Sequence, residues 1–146
     1  MSMSGESDRR IIAIVRDLFF SVRIKETLQA HGYAVAVVKS PQALTDVLAA
    51  ASPALIILDL NFRGIDPPAT IAQLKGNLAT QAIPILAFGS HLDHAARDAA
   101  KAAGANRVVP NSKLAEDLPA LARRYVTSGT TVSASGDEDE DQDTAE

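Results

Sequence analysis

Apolar residues are distributed along this chain in two ways. Short dense runs recur, and between them apolar positions fall three and four residues apart. Ile11-Ile12-Ala13-Ile14-Val15 is rich in β-branched residues and predicts a buried strand. Leu18, Val22 and Leu28 follow at helical spacing up to His31-Gly32, where Gly32 is a natural stop. Tyr33-Ala34-Val35-Ala36-Val37-Val38 predicts a second strand. Ser40-Pro41 reads as a helix N-cap with proline at the first helical position. That helix turns Leu44, Val47 and Leu48 inward as far as Ala51, and Ser52-Pro53 breaks it. The most apolar run, Ala54-Leu55-Ile56-Ile57-Leu58-Asp59, predicts a third strand. A loop from Asn61 to Pro68 leads into a helix with Ile71 and Leu74, ending near Lys75-Gly76. Ile83-Pro84-Ile85-Leu86-Ala87-Phe88 predicts the fourth strand, with its proline at the start, where a missing donor is tolerated. An alanine-rich helix over His91 to Ala103 stops at Gly104, and Arg107-Val108-Val109 predicts a short fifth strand. Ser112 caps a last helix to Tyr125, with Leu114, Leu118 and Leu121 inward.

Strict alternation of apolar strands and helices predicts an α/β domain with a parallel sheet covered on both faces. Right-handed crossovers leave few topologies, and the flavodoxin-like strand order 2-1-3-4-5 is the expected one. The C-terminal strand tips then carry Arg16 and Asp17, Asp59, Gly89 and Ser90, and Pro110 and Asn111. Strands 1 and 3 are neighbours in that order, so Arg16, Asp17 and Asp59 should converge. Open α/β sheets bind ligands at such tips. A carboxylate there can be a nucleophile, a metal ligand or a salt-bridge partner.

Charge divides the chain. Residues 1–125 hold all 14 Lys and Arg and 11 of the 18 Asp and Glu, a net +3, whereas the residues beyond hold only acids. The run Asp137-Glu138-Asp139-Glu140-Asp141 cannot bury enough apolar surface to offset its ordering entropy. Residues 1–8 and 127–146 are expected to be disordered, flanking a domain over 9–126. The absence of cysteine excludes disulfides, thiol catalysis and zinc–thiolate sites. No apolar run approaches the roughly 18–20 residues of a membrane span, and the polar start lacks a signal-peptide centre, so a cytoplasmic protein is expected.

Four features make residues 10–125 resemble the receiver domain of response regulators, the CheY-like family. They are Ile12-Ala13-Ile14-Val15-Arg16-Asp17, the strand and loop from Ala54 to Asn61, Ile83-Pro84-Ile85-Leu86, and the Ala103-Gly104-Ala105 turn. The resemblance implies phosphoryl transfer from a phosphohistidine kinase to the strand-3 aspartate, here Asp59. It also implies a Mg²⁺ ion held by an acidic pair, the acceptor and a backbone carbonyl, with a Ser or Thr and a Lys on the phosphate. Such transfer is catalysed mostly by positioning and charge neutralisation.

Carried onto this chain, the acceptor is Asp59, the carbonyl belongs to Asn61, and the metal set is Asp17, Asp59 and Asn61. The other acid position holds Arg16. The Ser/Thr position falls on Gly89, with Ser90 next to it. The Lys position falls on Asn111, with Lys113 two residues on. The strand-5 aromatic is Val108, and Arg63 lies in the acceptor loop. A guanidinium about 4 Å from Asp59 contributes ~4 kcal/mol of Coulomb energy at an effective dielectric near ~20. Arg16 is therefore expected to pair with Asp59, standing in for Mg²⁺ and disfavouring it, so that no cofactor is expected.

The expected function is a stand-alone, atypical receiver that signals through protein–protein contacts in a two-component or phosphorelay system, without enzymatic activity. Its expected partners are a histidine kinase or a downstream signalling protein, or a second copy docked through the side built from strands 4 and 5 and helices 4 and 5. Two alternatives are a phospho-accepting switch at Asp59 and a flavodoxin-like small-ligand domain with a deep pocket at the strand tips. His91, Asp93 and His94 read as a surface helix start rather than a metal site. No P-loop or dinucleotide motif occurs, and the basic residues are too scattered for nucleic-acid recognition. Neither nucleic acid nor a membrane is an expected partner.

Overall fold

The computed structural model describes residues 9–127. The expected disordered N-terminus and acidic tail lie outside the described residues, apart from Thr127, which ends the last helix. Five strands are present: β1 (Arg10–Ile14), β2 (Ala34–Val38), β3 (Leu55–Asp59), β4 (Ile85–Gly89) and β5 (Arg107–Pro110). They alternate with α1 (Leu18–Ala30), α2 (Pro41–Ala50), α3 (Pro67–Lys75), α4 (His94–Ala103) and α5 (Asn111–Thr127). The strands form one parallel sheet in the order β2-β1-β3-β4-β5. This is the flavodoxin-like order expected from the alternation.

Side chains along each strand alternate between two apolar layers. Ile11, Ala13, Leu55, Ile57, Leu86 and Phe88 face Ile24 and Leu28 of α1 and Leu114, Leu118 and Leu121 of α5. Ile12, Ile14, Ile56, Leu58, Ile85 and Ala87 face Leu44 of α2, Ile71 and Leu74 of α3 and Ala100 of α4. Burial on both faces explains why β1, β3 and β4 read as continuous apolar runs, while the edge strand β2 is only partly buried.

Most element ends follow their local chemistry. Ser40 accepts from the Ala43 N–H, and Pro41 opens α2. Gly104 ends α4 at φ +118°, a left-handed conformation that glycine adopts without strain. Three expectations need correction. The helix after strand 4 starts at His94, not His91, because the Asp93 carboxylate caps it by accepting from the Ala96 N–H. The last helix starts at Asn111, so Ser112 lies inside it, and it kinks at Asp117, two residues before Pro119. The face of α1 is also rotated. Leu18 and Val22 are 71% and 43% exposed, while Ser21, Ile24 and Leu28 are buried. Ser21 is tolerated inside because its hydroxyl donates to the Leu18 carbonyl at 2.9 Å. Phe20 reaches inward as well, its ring edge-to-face on Phe88 with centroids 5.1 Å apart.

Candidate functional site

Parallel strands bring their C-terminal tips to one end of the sheet. Asp59, the last residue of β3, is only 7% exposed there. Its Oδ1 accepts from the Asn61 N–H at 2.8 Å, in an Asx turn that begins the next loop. Burial raises the Asp59 pKa above the usual carboxylate value, the Asn61 N–H opposes the rise, and the negative charge of Asp17 adds to it.

A raised pKa means that the native state holds the Asp59 proton more tightly than the unfolded chain does. Where the native state binds more protons, stability falls as pH rises. The contribution from Asp59 is thus fully present below the unfolded value near 3.8 and is lost as pH rises through the raised native value. Asp59→Asn keeps an oxygen for the Asn61 N–H and removes the charge. It should stabilise the domain at neutral pH by on the order of 1 kcal/mol. That gain should vanish below about pH 3.5, where both side chains are neutral. Urea unfolding at the two pH values checks this, and an unchanged midpoint at neutral pH would show that the charge is already compensated.

The expected Arg16–Asp59 ion pair is not formed. Arg16 is exposed, and among the described residues no ion pair joins Arg16 or Arg63 to Asp59. The cause is local. Asp17 turns into the N-cap of α1, its Oδ1 accepting from the Phe20 N–H at 2.9 Å, and the residue before it is left facing solvent. Lys39 is a residue that the motif reading missed. Its ammonium donates to the carbonyls of Val15 and Arg16 at 3.2 and 3.3 Å, fastening the loop that carries Arg16 and Asp17. The signal was present, since Lys39 directly follows β2 and β2 pairs with β1.

Register pairs Asp59 with Phe88 and Gly89 with Pro110. Gly89 therefore stands at the tip, and the one-residue slip that would bring Ser90 inward does not occur. Ser90 is exposed, and its Oγ accepts from the Leu92 N–H at 3.1 Å. A Cβ added at Gly89 would lie 3.2 Å from the Leu60 Cβ, a tight contact in which Leu60 would have to give by a few tenths of an ångström. Asn111 opens α5, and Lys113 pairs with Asp117 at 3.1 Å. Val108 is buried in the sheet. Asn61, Gly89, Ser90, Asp93, Arg97 and Asn111 border a cleft of about 140 Å³ beside these tips.

The oxygen donors that the family pattern assigns to a divalent cation fall on Asp17, Asp59 and the Asn61 carbonyl. Mg²⁺ demands near-octahedral oxygen ligation, normally with carboxylates among its ligands. Here one of the family's three acids is replaced by Arg16, and Asp17 already gives an oxygen to its helix. The set does not fit a family-type Mg²⁺ site. Among the described residues no group of three or more His, Cys, Asp or Glu is placed to hold a metal, and His91 and His94 are exposed. No helix among the described residues is long and apolar enough to cross a membrane.

A five-stranded sheet of this order with an aspartate at the β3 tip is the arrangement of a receiver-type domain. Residues 12–122 match the family model of the response regulator receiver domain, and the chain belongs to that family. Solved structures agree on the fold. The signal receiver domain of a signal transduction histidine kinase from Syntrophus aciditrophicus is 21% identical with a TM-score of 0.74, over 84% of this chain and 92% of that one. The chemotaxis response regulator CheY4 of Vibrio cholerae is 19% identical with a TM-score of 0.71, over 80% and 97%. The receiver domain of NtrX from Brucella abortus is 17% identical with a TM-score of 0.72, over 80% and 98%. No curated protein sequence matches the chain.

Proposed function

We propose that this receiver domain signals through protein–protein contacts, without Mg²⁺-dependent phosphorylation of Asp59 and without enzymatic turnover of its own. The observation that carries this reading is the register that puts Gly89, which has no hydroxyl, at the β4 tip, with Ser90 exposed to solvent. Two further absences at the tips support it: Arg16 replaces an acid, and Asn111 replaces the phosphate-binding lysine. The exposed side chains Leu18, Phe19 and Val22 form an apolar patch at the start of α1, beside Asp17. Exposed apolar clusters mark interaction sites, and a histidine kinase or a downstream signalling protein is the partner class proposed for it.

Incubation of the full chain with acetyl phosphate and Mg²⁺, followed by intact-mass measurement, tests the proposal. The expected result is no added phosphoryl group. A mass gain that disappears in Asp59→Asn would overturn it and establish a phospho-accepting switch. The small-ligand reading has less support. The cleft at the strand tips is well below the about 300–1,000 Å³ of small-molecule sites. A larger groove of about 520 Å³ runs between α2 and α3 and includes none of the tip residues.

A further inference from the structure

The two ends of the sheet differ in charge. The parallel strands start at the end opposite Asp59, and the helices that return between them finish there. Arg9 precedes β1 at that end, Arg10 opens β1 and Arg107 opens β5. Lys75, Lys101 and Arg124 stand in the last turns of α3, α4 and α5, with Arg123 beside Arg124. The loops at this end, residues 31–33, 51–54, 76–84 and 104–106, carry no acid. Among the described residues only Glu26 and Asp46 are acids in the C-terminal half of a helix, and Glu6 and Asp8 precede Arg9 in sequence. The opposite end holds Asp17, Asp59, Asp66 and Asp93, all but Asp59 as helix N-caps. Helix dipoles favour bases at helix C-termini, which accounts for Lys75, Lys101 and Arg124. They do not account for Arg9, Arg10 and Arg107 at the strand starts. Arg9 donates to the carbonyls of Gly32 and His31 at 2.9 and 3.0 Å, and its guanidinium lies 4.5 Å from the Tyr33 ring centroid. Those neutral groups hold the cation in place without cancelling its charge. The Arg10 Nε is buried with no hydrogen-bond partner. Like charges gathered at one end repel one another, so an anionic cover is favourable there.

The chain carries such a cover. α5 ends at Thr127, at this same end of the sheet. Residues 128–136 are small and uncharged, the composition of a tether. Asp137-Glu138-Asp139-Glu140-Asp141 follows, then Asp143 and Glu146, with no base among them. A tether of that length spans about 16 Å on average. The radius of gyration of a domain this size is about 13–14 Å. The acids can therefore cover the basic end, whereas the Asp59 end lies a strand length of about 17 Å further away. Such a tether holds the acids at an effective concentration on the order of millimolar, so several individually weak, exposed ion pairs suffice.

We propose that the basic end of the sheet is a docking surface for acidic peptide, and that its occupant is the chain's own segment 137–143, bound in cis. The surface lies at the end away from the apolar patch of Leu18 and Phe19, so it is independent of the partner proposed for that patch. The chain has no cysteine, so Gln142→Cys carries a single nitroxide label in the full chain. Broadening of backbone amide NMR signals then reads closeness to the label. At ~0.01 M salt the amides of Arg10, Lys101 and Arg107 should broaden, and those of Gly89 and Ser90 should not. At ~1 M salt, where the Debye length is about 3 Å, the broadening should be lost. It should also be lost when the acidic run is neutralised by Asp137→Asn, Glu138→Gln, Asp139→Asn, Glu140→Gln and Asp141→Asn together, which leaves the domain and the tether intact. Arg123→Gln combined with Arg124→Gln should weaken it at all three amides. Broadening that survives high salt or the neutralised segment reflects the tether alone and would overturn the proposal. Broadening unchanged by the two arginine substitutions would overturn the placement of the segment on this end. Labelled chain mixed with unlabelled, isotope-enriched chain detects docking on a second copy. Broadening in the unlabelled chain as strong as that within the labelled one would overturn docking in cis.

Discussion

Arg16→Asp should raise Mg²⁺ affinity about tenfold at low ionic strength. The substitution changes the charge at the β1 tip by two units beside the carboxylates of Asp17 and Asp59, with which Arg16 forms no ion pair among the described residues. Two units acting on a divalent ion at roughly 8 Å amount to about 2 kcal/mol even at the dielectric of water. At ~0.15 M salt the Debye length is comparable to that distance, and the gain should shrink to a few-fold. Calorimetric titration with MgCl₂ at the two ionic strengths measures both figures. A gain that persists unscreened would mean that the new carboxylate ligates the ion directly. Undetectable binding in the variant would show that Arg16 is not what weakens the site, and that the capping duty of Asp17 is the more serious defect.

Phe88→Ala should cost about 3–5 kcal/mol, a large share of the ~5–15 kcal/mol that holds a domain folded. Phe88 is 1% exposed near the C-terminal end of the interior strand β4, beside Asp59 in register and in edge-to-face contact with Phe20. Its removal opens a cavity under α1 that the rigid strands cannot close. Urea unfolding should show a lower midpoint with an unchanged slope. A cost below about 1.5 kcal/mol would mean that Phe20 drops into the vacated space. The double substitution with Phe20→Ala tests the pair itself, for which a coupling of about 0.5–1.5 kcal/mol is expected.

The sheet was legible in the sequence because both of its faces are buried. Runs such as Leu55-Ile56-Ile57-Leu58 admit few other readings, and their strict alternation with helices restricts the topology. Helix rotation was harder to read. Leu18 and Val22 are apolar and correctly spaced, yet they face solvent, while Ser21 goes inside because a serine can satisfy its own hydroxyl on the preceding turn. Spacing alone cannot distinguish an apolar stripe that packs on the sheet from one left outside.

The tip residues were placed at the correct strand ends, but their contacts were not. Arg16 and Asp59 are close along neighbouring strands, yet the Asp17 cap turns the intervening backbone and separates them. Arg97 was passed over as part of an alanine-rich surface helix. The clue was its spacing: it shares a helical face with Ala100, and small residues on that face mark the side that approaches the sheet.

The alternation of side chains at the strand tips also divides the labour among the helices. Asp59 belongs to the layer under α1 and α5, whereas the Leu60–Gly89 contact and Arg97 belong to the layer under α4. One sheet end thus presents two separately wired terminals. The β3 tip lies on the side of the helix that carries the exposed Leu18 and Phe19, and Leu60 and Arg97 lie on the side of α4, so the two sets of helices meet different tip residues.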